Sequence, residues 1–165
     1  MKMNAHSIDN RTFQLIENNQ VLSEIIYADP YFLKAEINVS NTDGYLVKPV
    51  GVFQTSISVT NNGTEFAKLV MNWSGNIVIF YRDKNKYVLK LNKFFHGKYI
   101  IENEDRENII QLNPKFSWKE FHYHYDINNN ISNDGISKDP LFLSLAVYAA
   151  NYFVATISGA NSGLV

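Results

Sequence analysis

The segment DPLFLSLAVYAANYFVATISGA, residues 139–160, decides the fold because it contains a long helix without a hydrophilic face. Its last twenty residues, Leu141 to Ala160, carry no formal charge. The preceding Asp139-Pro140 pair favours a helix start, since an Asp side chain can cap free N–H groups and Pro lacks only an N–H that would be unpaired there. Gly159 favours a helix end. The sequence therefore predicts a helix over Asp139–Ser158 that is apolar on all sides and must leave water.

The chain before this helix is a succession of short apolar runs separated by Asn, Asp and Gly. Turn signals such as Asp43-Gly44 and Asn62-Gly63 favour the positive φ angles of tight hairpins. The predicted strands are Thr12–Glu17, Val21–Tyr27, Phe32–Val39, Tyr45–Lys48, Val52–Thr60, Phe66–Asn72, Ile77–Tyr81, Lys86–Leu91, Lys98–Glu102, Asn108–Leu112 and Lys119–Asp126. Alternation of Tyr87 and Leu89 with Lys86 and Lys90 gives one apolar and one polar face, which is typical of an antiparallel meander.

These two parts of the chain predict a mainly β fold, in which a closed antiparallel barrel of about twelve strands surrounds the C-terminal helix. Closure removes the exposed edges of such a large sheet. A barrel of this width needs a filling, and an α-helix with its side chains is about 10–12 Å across. We expect a single domain over residues 11–165 and a loose tail over residues 1–10.

Composition excludes several kinds of site. The chain has no cysteine, so disulfides and thiolate metal sites are excluded. A formal net charge of −1 gives no general attraction to nucleic acid, and we expect no nucleic-acid partner. The first residues, MKMNAHSIDN, contain no apolar signal-peptide core, which predicts a cytoplasmic location. We find no Gly-x-Ser-x-Gly, Walker or Gly-x-Gly-x-x-Gly motif, so the sequence predicts a non-catalytic protein without a cofactor.

The pattern of strands and helix resembles the tubby C-terminal-like superfamily, which includes phospholipid scramblases and the LURP-one-related proteins. The segments that carry the resemblance are GVFQTSISV (residues 51–59), IVIFYRDKNKYVLKL (residues 77–91) and DPLFLSLAVYAANYF (residues 139–153). The resemblance implies a barrel of about twelve strands around a central helix. It also implies, from some members of the superfamily, an association with phosphoinositides or membranes.

A basic stretch interleaved with aromatic residues is the predicted binding surface. Its cations could hold the phosphate groups of anionic lipids, and they would place the protein at a membrane periphery. An acidic run, Glu102–Glu107, lies close by in sequence and would weaken its field. The predicted lipid- or phosphate-binding residues are Arg82, Lys84, Lys86, Lys90 and Lys93. The expected partner is an anionic membrane lipid or another protein.

Two alternatives remain open at this point. His122 and His124, which point the same way if they lie on one strand, could ligate Zn or Fe and give a metal-dependent enzyme. Residues 141–160 could instead span a bilayer as a tail anchor, since about twenty apolar residues cross its hydrocarbon. Against the anchor, Tyr148, Asn151 and Tyr152 would place polar atoms near the middle of the span.

Overall fold

The computed structural model describes residues 3–29, 31–40, 42, 44–51, 56–82, 84–92, 97–118, 122–131 and 135–157, with the backbone alone for residues 122, 123 and 157. The strands are β1 (Met3–Ser7), β2 (Thr12–Glu17), β3 (Gln20–Tyr27), β4 (Ala35–Val39), β5 (Tyr45–Val50), β6 (Ser56–Asn61), β7 (Thr64–Met71), β8 (Ile77–Phe80), β9 (Lys86–Asn92), β10 (Lys98–Glu102), β11 (Asn108–Ser117) and β12 (His122–Asn129). A turn of 3-10 helix (Gly135–Lys138) precedes helix α1 (Pro140–Ile157). Each strand pairs antiparallel with its neighbours in sequence, and β1 pairs with β12, so the sheet is a closed barrel. The predicted fold class is confirmed.

The N-terminal segment is part of the barrel wall, so the prediction of a loose tail over residues 1–10 is wrong for its central part. Strand β1 pairs Ala5 with Tyr125 of β12 and Ser7 with Phe13 of β2. Its alternate residues Met3, Ala5 and Ser7 are buried. The sequence MNAHS hides this pattern because two of the three inward side chains are small and one is polar.

Alternation along the strands sends one set of side chains into the barrel and the other set outward. On β9, Tyr87 and Leu89 are buried while Lys86 is exposed, as predicted. On β12, Tyr125 and Ile127 are buried, and the next residue, Asn128, is exposed. The inward set forms a single hydrophobic core together with α1.

Helix α1 fills the barrel. All of residues 141–150 are buried, which is possible only for a helix that has protein on every side. Aromatic side chains from separate strands meet it: Tyr87 packs edge-on against Phe142 with ring centroids 4.7 Å apart, and Tyr27 stacks on Tyr148 at 5.9 Å. The helix begins as predicted, because Oδ1 of Asp139 accepts a hydrogen bond of 3.0 Å from the N–H of Leu141.

The alternative of a tail anchor is therefore wrong for the described part of residues 141–160. These residues pack inside the protein's own sheet and not against lipid. In the ranges that the structure describes, no helix combines the length and the apolarity needed to cross a membrane.

Polar side chains fix the position of α1 along the barrel axis. Asn151 accepts a hydrogen bond of 2.8 Å from the Tyr125 hydroxyl and donates one of 3.0 Å to the Tyr27 hydroxyl. The hydroxyls of Ser144 and Ser23 share a hydrogen bond of 2.6 Å. These pairs would be broken by a shift of one helical turn, so they specify a single register for the buried helix.

The two ends of the barrel differ because consecutive connections of an antiparallel meander alternate between them. The helix enters beside the β8–β9 connection, where the side chains of Tyr81 and Arg82 contact Asp139. We name this the entry end. The connections after β1, β3, β7 and β11 lie at the opposite end, where α1 finishes. We name this the tryptophan end, for Trp73 after β7 and Trp118 after β11.

Candidate functional site

The basic residues predicted as the binding surface are spread along the β8–β9 hairpin and are not grouped at one point. Arg82 and Lys84 lie in the connection, and Lys86 and Lys90 lie on β9. Lys86 and Lys90 are four residues apart on a strand, which separates their Cα atoms by about 13 Å. Lys93 lies outside the described residues.

Two of the described cations already have carboxylate partners. Lys90 forms an ion pair of 2.5 Å with Glu102 on the neighbouring strand β10, and Arg82 forms one of 3.0 Å with Asp139. A carboxylate oxygen of Glu104 accepts a hydrogen bond of 3.1 Å from the backbone N–H of Lys86. The acidic run Glu102–Glu107 thus lies beside the lysines of β9 and reduces their positive potential.

Asp139 is the centre of the polar contacts at the entry end. Its Oδ1 caps the helix, and its Oδ2 accepts hydrogen bonds of 3.0 Å from both the Tyr81 hydroxyl and Nη2 of Arg82. Burial, followed by the negative charge of Asp139, raises the pKa of Tyr81 well above its usual value. The Tyr81 hydroxyl therefore stays protonated and remains a donor to Asp139.

Arg82 is held on three sides. Its guanidinium lies 5.4 Å from the ring centroid of Phe66 and 5.6 Å from that of Tyr81, in addition to its bond with Asp139. The side chain is still 52% exposed. A rigid, half-exposed guanidinium keeps N–H donors available to solvent or to a ligand.

A cleft of about 340 Å³ opens next to this arginine. Its walls come from the β8–β9 connection, from β9 and from the 3-10 turn that leads into α1. The lining residues are Tyr81, Arg82, Asn85, Tyr87, Gly135, Ile136 and Asp139. Among the predicted site residues that the structure describes, Arg82 alone lines it.

The tryptophan end carries the most exposed large apolar side chains in the described part of the chain. Trp73 is 107% exposed and Trp118 is 80% exposed. Phe116 packs edge-on against Trp118 with ring centroids 5.1 Å apart, and Tyr31 and Ile8 are also exposed at this end. Contiguous exposed apolar side chains favour an interaction surface, and the Phe116–Trp118 pair is an apolar contact of this kind at the tryptophan end.

The turn that presents Trp73 is rigidly built. Oδ1 of Asn72 accepts hydrogen bonds of 3.0 Å from the backbone N–H groups of both Ser74 and Asn76. Gly75 adopts a φ of +77° and donates to the carbonyl of Asn72 at 3.0 Å. A turn fixed in this way holds the indole out in water, where an apolar side chain has no stabilising contacts.

Several cations lie at the same end of the barrel as these aromatic residues. Arg11 and Lys34 are exposed in the connections after β1 and β3, Lys98 begins β10, and Lys115 lies near the end of β11. Asp9, in the same connection as Arg11, accepts hydrogen bonds from the N–H groups of Arg11 and Thr12, which hold its pKa below the usual value.

Of the two histidines predicted as metal ligands, the structure describes the side chain of His124 alone. Nδ1 of His124 accepts a hydrogen bond of 3.3 Å from the N–H of Ser7, and its ring packs edge-on against His6 at 5.5 Å. The side chain of His122 lies outside the described residues. Asp126, the nearest carboxylate on the strand, pairs with Lys115 at 2.5 Å. Among the side chains described, no three His, Asp or Glu groups come together as metal ligands.

The tryptophan end was not predicted from the sequence. A signal was present, since Trp73 lies in the middle of the turn sequence Asn72-Trp73-Ser74-Gly75-Asn76, where the surrounding residues are polar. Trp118 follows a strand in the same way. What the sequence did not provide was the strand order, which is needed to place the two residues at one end.

Comparison with family models, with curated proteins and with solved structures finds no match. The relation to the tubby C-terminal-like superfamily therefore stays a prediction from the sequence.

Proposed function

We propose that this protein is a non-catalytic binding protein that attaches to anionic membrane surfaces through its tryptophan end. The observation that carries the proposal is the position of Trp73 and Trp118, the two most exposed large apolar side chains described, on connections at the same end of the barrel. The core of the barrel is filled by α1, which leaves the outer surfaces for binding.

The chemistry of this end matches a bilayer interface better than water. Indole rings favour the headgroup level of a membrane, where the apolar ring and the polar N–H are both satisfied. Each Lys or Arg near an anionic leaflet adds about 1 kcal/mol of attraction. Arg11, Lys34 and Lys98 can supply this attraction while the two tryptophans insert.

The lysines of β9 support this function less well. They face the carboxylates of Glu102 and Glu104, and Arg82 is already paired with Asp139. A membrane has to approach a broad surface, and the tryptophan end combines exposed aromatic residues with exposed cations. Arg82, Lys84 and Lys86 lie at the opposite end of the barrel and serve as the comparison surface.

Vesicle co-sedimentation tests the proposal. We expect the protein to bind vesicles of phosphatidylcholine with phosphatidylserine, and to bind neutral phosphatidylcholine vesicles at least tenfold more weakly, because the cations act only on anionic lipid. Trp73→Ser combined with Trp118→Ser should lower binding at least tenfold. Each tryptophan should also show a blue-shifted fluorescence maximum on binding, measured in the variant that lacks the other.

A matched charge-reversal variant separates the two surfaces. Lys84→Glu with Lys86→Glu changes the entry end alone and should leave binding within twofold, whereas Arg11→Glu with Lys34→Glu should weaken it strongly. Loss of binding in the Lys84/Lys86 variant alone would assign the lipid surface to the β8–β9 hairpin. Absence of binding to every vesicle at physiological salt would overturn the proposal.

A further inference from the structure

We propose that the cleft beside Arg82 at the entry end is a binding site for a small molecule that carries an oxyanion, a carboxylate or a phosphate, on an apolar body. This site is separate from the tryptophan end, because it lies at the other end of the barrel. Three features of the cleft favour such a ligand: the position of Arg82, the hydrogen-bonded carboxylate of Asp139 and the apolar part of the wall.

Arg82 provides the anion-binding group. Its Nη2 donates a hydrogen bond to Asp139, and the side chain is 52% exposed and lines the cleft. The rings of Phe66 and Tyr81 hold the guanidinium plane. A guanidinium has five N–H donors in a fixed fork, so the remaining edge can bind an oxyanion with two hydrogen bonds. Because the fork is already immobilised, binding loses little side-chain entropy.

Asp139 does not repel such a ligand as a bare carboxylate would. Both of its oxygens accept hydrogen bonds, Oδ1 from the first turn of α1 and Oδ2 from Tyr81 and Arg82. Four hydrogen-bond donors thus partly compensate the negative charge of Asp139. Two exposed lysines adjoin the cleft residues in sequence, Lys84 before Asn85 and Lys138 before Asp139, and they add positive potential.

The rest of the cleft is suited to an apolar body. Tyr87 and Ile136 both contribute apolar atoms to the wall, and the volume of about 340 Å³ is at the lower end of the range for small-molecule sites. A single aromatic ring with one anionic substituent fits this combination of size and chemistry. Benzoate and phenyl phosphate are therefore suitable probes, and benzyl alcohol is their uncharged control.

Gly135 allows the cleft to be blocked without touching Arg82. It begins a turn of 3-10 helix, which an L-residue adopts readily, and a Cβ added to it meets no atom within 4 Å. Because Gly135 lines the cleft, we expect a leucine at this position to reduce the cleft volume while the Arg82–Asp139 ion pair is retained. Gly135→Leu is accordingly the test variant, and Lys34→Gln, at the tryptophan end, is the matched control.

Titration of the ¹⁵N-labelled full chain, followed by amide chemical shifts, tests the site. We expect saturable shifts at millimolar benzoate or phenyl phosphate, centred on Asn85, Tyr87 and Ile136, and at least tenfold weaker binding of benzyl alcohol. The anion that binds with the lower Kd shows whether the site prefers a carboxylate or a phosphate. Gly135→Leu and Arg82→Gln should each weaken binding at least tenfold, while Lys34→Gln should leave it unchanged.

Three results would overturn the inference: no saturable shift with either anion, equal binding of benzyl alcohol, or unchanged binding in Gly135→Leu. Arg82→Gln provides the second test if Gly135→Leu does not fold. Vesicle binding should be the same in Gly135→Leu as in the unaltered chain, so this test and that of the tryptophan end are independent.

Discussion

The hydroxyl of Tyr81 donates a hydrogen bond of 3.0 Å to Oδ2 of Asp139, which joins the end of β8 to the first turn of the buried helix. Arg82, the next residue, bonds to the same oxygen. One carboxylate therefore caps α1 and fastens it to the barrel wall. This double role makes Asp139 the residue whose loss should be most costly at the entry end.

Asp139→Ala should lower the free energy of unfolding by about 2–4 kcal/mol. The change removes a helix cap, worth about 1 kcal/mol, and a charge-assisted acceptor, worth about 1.5–3 kcal/mol. Urea denaturation measures the difference. Asp126→Ala is the control, because it removes a half-exposed partner of Lys115 and should cost less than about 1 kcal/mol. Equal effects of the two changes would contradict the role given to Asp139.

Asn151→Leu should destabilise the protein by about 2–4 kcal/mol, although leucine is more apolar. The substitution leaves the buried hydroxyls of Tyr27 and Tyr125 without the amide that pairs with them, and each unpaired buried group costs about 1–3 kcal/mol. Thermal unfolding followed by circular dichroism measures the loss. Replacing all three residues, with Phe for both tyrosines, should recover much of it. If Asn151→Leu alone were neutral or stabilising, the hydrogen bonds of Asn151 with Tyr27 and Tyr125 would not contribute to the free energy of unfolding.

Removal of α1 should prevent folding. In a chain that ends at Lys138, inward residues such as Leu69, Leu89 and Ile101 would face an unfilled space, and their burial by the helix would be lost. We expect an aggregated or unfolded product by size-exclusion chromatography and circular dichroism. A chain that ends at Ile157 is the control and should fold. A monomeric, folded chain without the helix would show that the barrel does not depend on its filling.

Stability should fall above about pH 10. Burial raises the pKa of Tyr27 and of Tyr148, and burial together with Asp139 raises that of Tyr81. Because the folded-state pKa exceeds that of the unfolded chain, the stabilising contribution is complete below the unfolded value near 10 and is lost as pH rises through the folded values. Each such phenol contributes a slope of up to about 1.4 kcal/mol per pH unit.

Urea denaturation between pH 8 and pH 12 measures this slope, and tyrosinate absorbance follows the ionisation. We expect part of the tyrosine absorbance change to appear only when the protein unfolds. Complete ionisation of all tyrosines near pH 10 in the folded protein would contradict the burial of these hydroxyls. Tyr27→Phe should reduce the slope.

The helix and the barrel could be predicted because both depend on local patterns. The uncharged run after Asp139-Pro140 identifies a buried helix, and period-2 alternation identifies strands such as the predicted Lys86–Leu91, which extends to Asn92 in the structure. The strand predicted from Phe32 begins only at Ala35, since Phe32 itself has a φ of +57°. Unlike Asn in a turn, a phenylalanine gives no sequence signal for a positive φ, and Phe32 packs in this conformation against Tyr27 with ring centroids 4.7 Å apart.

The sites were harder to predict because they depend on which connections share an end of the barrel. Arg82 stood out as a cation in a basic stretch, but its partner Asp139 is 57 residues away. Trp73 and Trp118 are 45 positions apart in the chain, and only the strand order places them at the same end of the barrel. Charge and aromatic content identify candidate residues, whereas topology decides which of them can act together.

The pairing of β1 with β12, with α1 following β12, also constrains how the chain acquires its structure. Strand β1 cannot complete its pairing until β12 has been synthesised. Helix α1, which fills the barrel, follows β12 in the chain. During synthesis, therefore, the hairpins can form in turn, but the ring cannot be completed until the ribosome has delivered β12. Contacts between such distant parts of a sequence slow folding, so the incomplete ring would expose its apolar lining to chaperones during this interval.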